Sequence, residues 1–282
     1  MDVAFNEVSY EYNDAGTTVQ ALHGVTLRVP AGRFVAVVGA SGAGKSTLVQ
    51  HLNGLLLPTK GTVEIGDVCL PEQKKQLQPL RKKVGFVFQY PEHQLFEETV
   101  EKEIGYVLRM QGVSKVEAAK TAAAALHTVG LPPALLSASP FQLSGGQKRR
   151  VAIASVLVQQ PKMLVLDEPG AGLDPASKEA LFQLLCNYRQ TNNASIWVVT
   201  HSMDDVAKYA DFCVVMHNGT PLMVGEPAAV FQAGDVLQTA KLALPKAMAF
   251  AQKAIASKGT IPFLRDAATL ADWLIDRKGG QQ

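Results

Sequence analysis

Gly39-Ala40-Ser41-Gly42-Ala43-Gly44-Lys45-Ser46, with Thr47 next in line, has the spacing G-x-x-x-x-G-K-[ST] of a phosphate-binding loop. Its glycines allow the backbone to wrap phosphates with N–H groups turned inward. Lys45 is then placed for the β- and γ-phosphates, and the Ser46 hydroxyl for Mg²⁺. A second cluster is Asp167-Glu168, two carboxylates closing the apolar run Met163–Leu166. Asp167 suits a metal ion, and Glu168 suits the task of polarising an attacking water. A third is Leu143-Ser144-Gly145-Gly146-Gln147. Ser144 and Gln147 have capping-box spacing, so this run predicts a glycine-softened helix N-terminus, which is another anion site. A single nucleotide can use both anion sites only if two chains pair head to tail.

These groups need a scaffold, and the apolar patterning supplies one. Phe34–Val38 is continuously apolar and β-branched, as expected of a strand covered on both faces. Val84–Phe88, Met163–Leu166, Ile196–Thr200 and Phe212–Met216 read the same way. Val25, Leu27 and Val29 alternate with Thr26 and Arg28 in a half-buried strand. Leu48, Leu52 and Leu55 follow the phosphate loop at helical spacing. The pattern predicts an α/β fold with a mostly parallel sheet. The stretch from about 97 to 160 lacks strand candidates and predicts a helical insertion, with Ser114 and Glu117 at capping-box spacing and Gly130 at the end of that helix. Beyond about residue 236, Leu244, Met248, Ala251 and Ile255 share a helical face that ends at Lys258-Gly259. Leu270, Trp273 and Leu274 mark a last helix stopping at Gly279, so 236–282 reads as a helical appendage to 1–235.

Composition narrows the function classes. The 282 residues are 47% hydrophobic and 18% charged, which excludes a disordered chain. The net charge of +2 steers nothing toward nucleic acid. Lys148-Arg149-Arg150 is expected on a solvated helix face or near an opposed nucleotide, and Lys74-Lys75 and Arg81-Lys82-Lys83 in a solvated loop. His127 is expected at the surface. Cys69, Cys186 and Cys213 are too few and too separated for a disulfide framework or a zinc site. No apolar run approaches the ~18 residues of a membrane span, and the N-terminus lacks a signal-peptide pattern, so the expected place is the cytoplasm.

The phosphate loop, Leu143–Gln147, the strand ending in Asp167-Glu168, and His201, in this order, resemble the ATPase subunit of an ABC transporter over roughly residues 1–235. The resemblance implies a P-loop NTPase fold, ATP as substrate and a sandwich dimer in which 143–147 of one chain meet the nucleotide held by the other. It also implies roles for residues that spacing alone leaves unassigned. Gln89 resembles the glutamine that touches Mg²⁺ and reports to the membrane partner, and His201 the histidine that contacts the γ-phosphate. Asp174 in Ala171-Gly172-Leu173-Asp174-Pro175 resembles an aspartate at the dimer seam. Tyr12, with Tyr10 as the alternative, resembles the aromatic that stacks on adenine. Gly170 departs from the threonine many relatives carry there.

Phe88-Gln89-Tyr90-Pro91-Glu92-His93-Gln94-Leu95-Phe96-Glu97-Glu98 resembles more narrowly the ATPases of energy-coupling-factor transporters, and the second of their two ATPase types. That implies three partners: a different ATPase in a heterodimer, a transmembrane coupling protein and a small substrate-capturing membrane protein. The chain would then sit on the cytoplasmic face of the membrane. Nothing in nucleotide chemistry needs Leu95 or Phe96, whose apolar surface is either local core or, as preferred here, part of a surface Tyr90–Phe96 that docks a helix of the transmembrane partner, with Glu92, Glu97 and Glu98 favouring a basic residue on it.

Overall fold

The computed structural model describes residues 1–14, 17–254 and 261–279. Chain order begins with β1 (Val3–Asp14) and β2 (Thr17–Val29), an antiparallel pair, followed by β3 (Phe34–Val38) and α1 (Lys45–Gln50). β4 (Lys60–Ile65) and β5 (Val68–Leu70) come next, then α2 (Leu77–Lys83) and β6 (Val84–Val87). Three helices follow without an intervening strand: α3 (Val100–Met110), α4 (Lys115–Thr128) and α5 (Gly145–Leu157). The chain then alternates through β7 (Met163–Asp167), α6 (Pro175–Asn192), β8 (Ser195–Val199), α7 (Met203–Tyr209), β9 (Phe212–His217) and β10 (Thr220–Gly225). It closes with α8 (Pro227–Gln232), α9 (Gly234–Thr239), α10 (Lys246–Ala254) and α11 (Ala267–Gly279).

Two sheets result. One has the order β10-β9-β3-β8-β7-β6 and is parallel apart from β10. Five of its six strands are the apolar runs found in the sequence, displaced by a residue at most, and the edge strand β10 was not foreseen. The other, β2-β1-β4-β5, is antiparallel, and only its Val25–Val29 portion was foreseen. The period of two explains why β3 must be apolar throughout. Phe34, Ala36 and Val38 face a core shared with α3–α7, whereas Val35 and Val37 face a second core between the two sheets. Leu237, Met248, Ala251 and Leu264 join the first of these cores. The C-terminal helices are therefore packed on the same apolar mass as the central strands.

Local details follow from sequence chemistry. Gly130 has φ 70 and terminates α4, as its position predicts. Ser144 and Gln147 form the full capping box of α5, each side chain bonded to the other's backbone. Ser114 caps α4 by accepting from Glu117 N, without the reciprocal bond. α1 is shorter than its leucine spacing suggests: Leu48 and Leu52 are buried, but the helix ends at Gln50 and Leu55 is exposed. The basic stretch at 74–83 is helical rather than a loop, because Leu80 is buried and Arg81 donates to the carbonyls of Asn53 and Gly54. Met248 and Ala251 share the buried face of α10, whereas Ile255 and Lys258-Gly259 lie outside the described residues. His127 is exposed and Cys213 fully buried. Among the described residues no helix is long and apolar enough to cross a membrane.

Candidate active site

The parallel register puts the chemistry at one edge. Val37 of β3 pairs with Val199 of β8, which pairs in turn with Asp167 of β7. The loops leaving these three strands therefore begin level with one another. They carry the phosphate loop, His201 and the Asp167-Glu168 pair. In a parallel sheet this carboxyl edge is where ligands bind.

Glycine is obligatory in the loop at two positions. At Gly39, a Cβ would lie 2.2 Å from the Met216 carbonyl oxygen. At Gly44, where φ is 93, it would lie 2.7 Å from the Ala21 carbonyl oxygen. At these two positions the loop fits against β9 and β2 only without a side chain. The Lys45 ammonium folds back to donate to the carbonyls of Gly39 (2.9 Å) and Ala40 (2.8 Å). Burial lowers its pKa, with Glu168 and Asp167 opposing the shift.

A cleft of about 650 Å³ gathers Tyr12, Ser41, Gly42, Gly44, Lys45, Ser46, Thr47, Gln89, Asp167, Glu168 and His201. Val19, Gln20 and Ala21 of β2 complete one wall, and no sequence motif announced them. Burial raises the Asp167 carboxyl, against the pull of the Ser46 hydroxyl and the Lys45 charge. Burial, reinforced by Asp167, pushes the Glu168 carboxyl up to about 7. Glu168 has φ 49, a left-handed conformation that costs on the order of 1–3 kcal/mol in a residue with a side chain. His201 Nε2 stands 2.9 Å from Glu168 Oε1, yet Oε1 is buried with no hydrogen-bond partner. The two are close without being aligned. Burial and the Lys45 charge both lower the His201 pKa. A larger hollow of about 820 Å³ between α4, α5 and α6 is lined by no carboxylate and by none of these groups.

Other expected residues lie elsewhere. None of Leu143–Gln147 lines the cleft; Leu143 is buried and Ser144 and Gly145 are exposed at the start of α5. Asp174 caps α6 by accepting from Ser177 N at 2.9 Å. Gly170 has a structural counterpart in Lys178: a Cβ at Gly170 would lie 3.1 Å from Lys178 Cε. The lysine stem occupies the space a threonine would need, and its ammonium pairs with Asp205 at 2.6 Å.

The run Tyr90–Phe96 divides into two parts. Pro91 and Leu95 are buried. Tyr90, His93, Gln94 and Phe96 are exposed, with Phe96 set edge-on to Tyr106 at 4.9 Å. A docking surface spanning the whole run is thereby corrected, because Leu95 is core. The charge argument is corrected as well. Glu97 bonds Arg109 at 2.7 Å, Glu98 pairs with Lys102, and Glu92 takes a two-pronged bond from Arg149. Reversing these charges would break bonds within the chain.

Arg149 is a residue that sequence reasoning misplaced. Only 4% exposed, it is no solvated neighbour of Lys148 and Arg150. Its Nε and Nη2 donate to Glu92 at 3.0 and 2.7 Å, and its Nη1 donates to the carbonyls of Pro169 and Ala171. Burial would raise the Glu92 carboxyl, but the arginine outweighs it and holds the pKa below the ordinary value. One guanidinium thus joins α5, the turn after Gln89 and the turn after Glu168. Its only trace in the sequence is a pair of opposite charges 57 residues apart.

Comparison with known proteins agrees with this geometry. The ABC transporter family matches residues 22–171. The chain is 44% identical over 290 residues to the energy-coupling factor transporter ATP-binding protein EcfA2 of Bacillus cereus, covering 100% of this chain and 99% of that protein. Its fold matches CbiO1 from Clostridium perfringens, part of the ABC transporter complex CbiONQ, with TM-score 0.75 and 34% identity over 89% of this chain and 98% of that one. It also matches an ATP-binding cassette solved as a dimer in a post-hydrolysis state with ADP and Pi, with TM-score 0.72 and 29% identity over 80% and 98% of the two chains. A P-loop at the carboxyl edge, a helix-capping glycine signature and full-length relatedness converge: the chain belongs to the ABC transporter family, among the energy-coupling factor transporter ATP-binding proteins.

Proposed function

We propose that this chain binds ATP between its own P-loop and the 143–147 run of a second, different ATPase. The observation that carries this is the placement of the two anion sites: Lys45 and Ser46 lie in the cleft and Leu143–Gln147 lie outside it. The dimeric cassette bound to ADP and Pi supports the pairing. In this reading the loop N–H groups and Lys45 hold the phosphates, Tyr12 supports adenine, and Glu168 takes the proton of the attacking water. The unpartnered Glu168 Oε1 suits that task. His201 contacts the γ-phosphate and Asp174 lies at the dimer seam.

Mg²⁺ fits the donors present. Ser46, Asp167 and Gln89 line the same cleft, giving hard oxygen ligands suited to a hydrated ion shared with phosphates. When bound, the ion would neutralise charge developing on the phosphates. Residues 1–235 form the ATPase domain, with 97–160 as its helical insertion, and 236–282 a dimer-contacting appendage. Partners are a transmembrane coupling protein and a substrate-capturing membrane protein, with no nucleic acid, and cargo of the vitamin or micronutrient class. The chain would sit peripherally on the cytoplasmic face. Exposed Tyr90, His93, Gln94 and Phe96, with Tyr106, form the docking patch.

The test is to purify the tagged chain from membranes and count what comes with it. One copy of this chain is expected, with one different ATPase and two membrane proteins, and Phe96→Ser should reduce the recovery of the membrane proteins while ATP binding stays intact. Two identical copies with full activity would refute the heterodimer.

A second expectation separates the two halves of the site. Gly146→Asp places a carboxylate at the helix end proposed to face the partner's nucleotide. Turnover of the complex should fall on the order of 10²-fold, the usual loss when an anion-stabilising site is removed. ATP affinity of this chain alone should not change. If its own affinity drops in parallel, the 143–147 run serves the cleft of the same chain and the pairing is wrong.

A further inference from the structure

Behind the cleft, β1 and α1 are joined by a closed ring of four contacts. The Tyr12 hydroxyl lies 3.2 Å from Thr47 Oγ1, beside the phosphate loop. The backbone carbonyl of Thr47 accepts from His51 Nδ1 at 2.7 Å. The His51 ring stands edge-on to Tyr10, with centroids 5.3 Å apart at 85°. Tyr10 in turn stands edge-on to Tyr12, at 4.9 Å and 81°. His51 is fully buried, and Phe5 meets its ring from a third direction. Edge-to-face pairs of this kind are favourable beyond the area they bury.

The ring explains features that nucleotide chemistry leaves unused. Tyr12 is 40% exposed, near the end of β1, where a strand tip would leave an aromatic free to turn. Its neighbours instead fix both its edge and its hydroxyl. The carbonyl of Thr47 holds the proton on His51 Nδ1, leaving Nε2 buried without a partner. Burial keeps that imidazole neutral by lowering its pKa to about 4. A neutral ring presents an ordinary aromatic face and edge to Tyr10.

We propose that Tyr10 and His51 are positioning residues that hold the Tyr12 ring at a fixed height above Thr47, so that base and phosphate subsites keep one spacing. The proposal rests on the reading of Tyr12 as the adenine support. It makes Tyr10 a component of the base subsite, where sequence alone offered it as the competitor for Tyr12. Pre-set aromatic support lowers the ordering cost of binding.

Two probes separate base from phosphate recognition in the full-length chain: Mg-ATP and inorganic tripolyphosphate with Mg²⁺, each titrated by calorimetry. Tyr10→Leu removes both edge contacts. It should weaken ATP about fivefold to tenfold, the factor equivalent to one lost aromatic pair, and leave tripolyphosphate affinity unchanged. Tyr10→Phe keeps the ring and should restore ATP affinity. Tyr12→Phe removes only the hydroxyl link to Thr47 and should produce a smaller loss confined to ATP. Equal weakening of both ligands by Tyr10→Leu would mean the residue merely supports the phosphate loop, and no change in either would mean the ring carries nothing. Both overturn the proposal. Tyr12→Ala tests the underlying reading. If it too leaves the ATP-to-tripolyphosphate ratio untouched, Tyr12 is not the base support. If it collapses the ratio and Tyr10→Leu does not, the support stands and the positioning role falls.

Discussion

Glu168→Gln should leave ATP affinity intact and reduce turnover of the assembled complex by about 10² to 10⁴-fold, the range a general base contributes. The amide has the shape of the carboxylate, so Lys45, Asp167 and His201 keep their packing. It cannot take a proton from water. Burial and Asp167 together raise the native carboxyl to about 7, so it is a far stronger base than an exposed glutamate. With hydrolysis blocked, ATP should hold the ATPase pair closed, detectable as a persistent dimer by size-exclusion chromatography with light scattering. Turnover at the wild-type rate would assign the base elsewhere.

Arg149→Met should produce the largest loss of stability of any single change outside the two cores. It strands Glu92, whose side chain is 15% exposed, against a missing cation, and leaves the Pro169 and Ala171 carbonyls short of a donor. Breaking a buried pair from one side costs about 3–5 kcal/mol. Each stranded carbonyl adds on the order of 1 kcal/mol. Arg149→Lys should recover little, since one ammonium cannot reproduce the fork that grips both Glu92 oxygens. Adding Glu92→Gln to Arg149→Met removes the stranded charge and should regain part of the loss. Urea unfolding of the wild type, Arg149→Met, Glu92→Gln and the double variant checks this, and additive effects would show that residues 92 and 149 are uncoupled.

The failure to read Arg149 from sequence has a physical cause. Lys148, Arg149 and Arg150 are consecutive, so at 100° per residue they point three ways from the helix, and only the tertiary fold decides which points inward. Phe34–Val38 posed no such problem, because a strand with two apolar faces reports its burial on every residue. The P-loop was legible for a related reason: close backbone approach at Gly39 and Gly44 excludes other residues. Asp167-Glu168 could be placed because a strand end locates them without knowledge of any distant partner. β4 and β5 were missed because each offers only two buried apolar positions, Val63 and Ile65 in one and Val68 and Leu70 in the other, too few to register as an alternation. The inward turn of Leu95 was lost for want of a period, since Pro91–Gln94 forms a single 3₁₀ turn. Gln89, His201 and Tyr12 were located by resemblance, and the cleft contains all three.

The distance between Leu143–Gln147 and the cleft has a consequence for an unassembled copy of this chain. On the proposed pairing, such a copy carries a loaded phosphate loop and no second half to act on it. Hydrolysis would then depend on encounters with the second ATPase, rising with the product of the two concentrations, while ATP binding would follow a simple one-site curve. A surplus of this subunit would draw on the nucleotide pool by occupancy alone and release what it holds unchanged. Expenditure of ATP would begin only when a partner arrives, so supply of the second ATPase, rather than of nucleotide, would set how much of the population is at work.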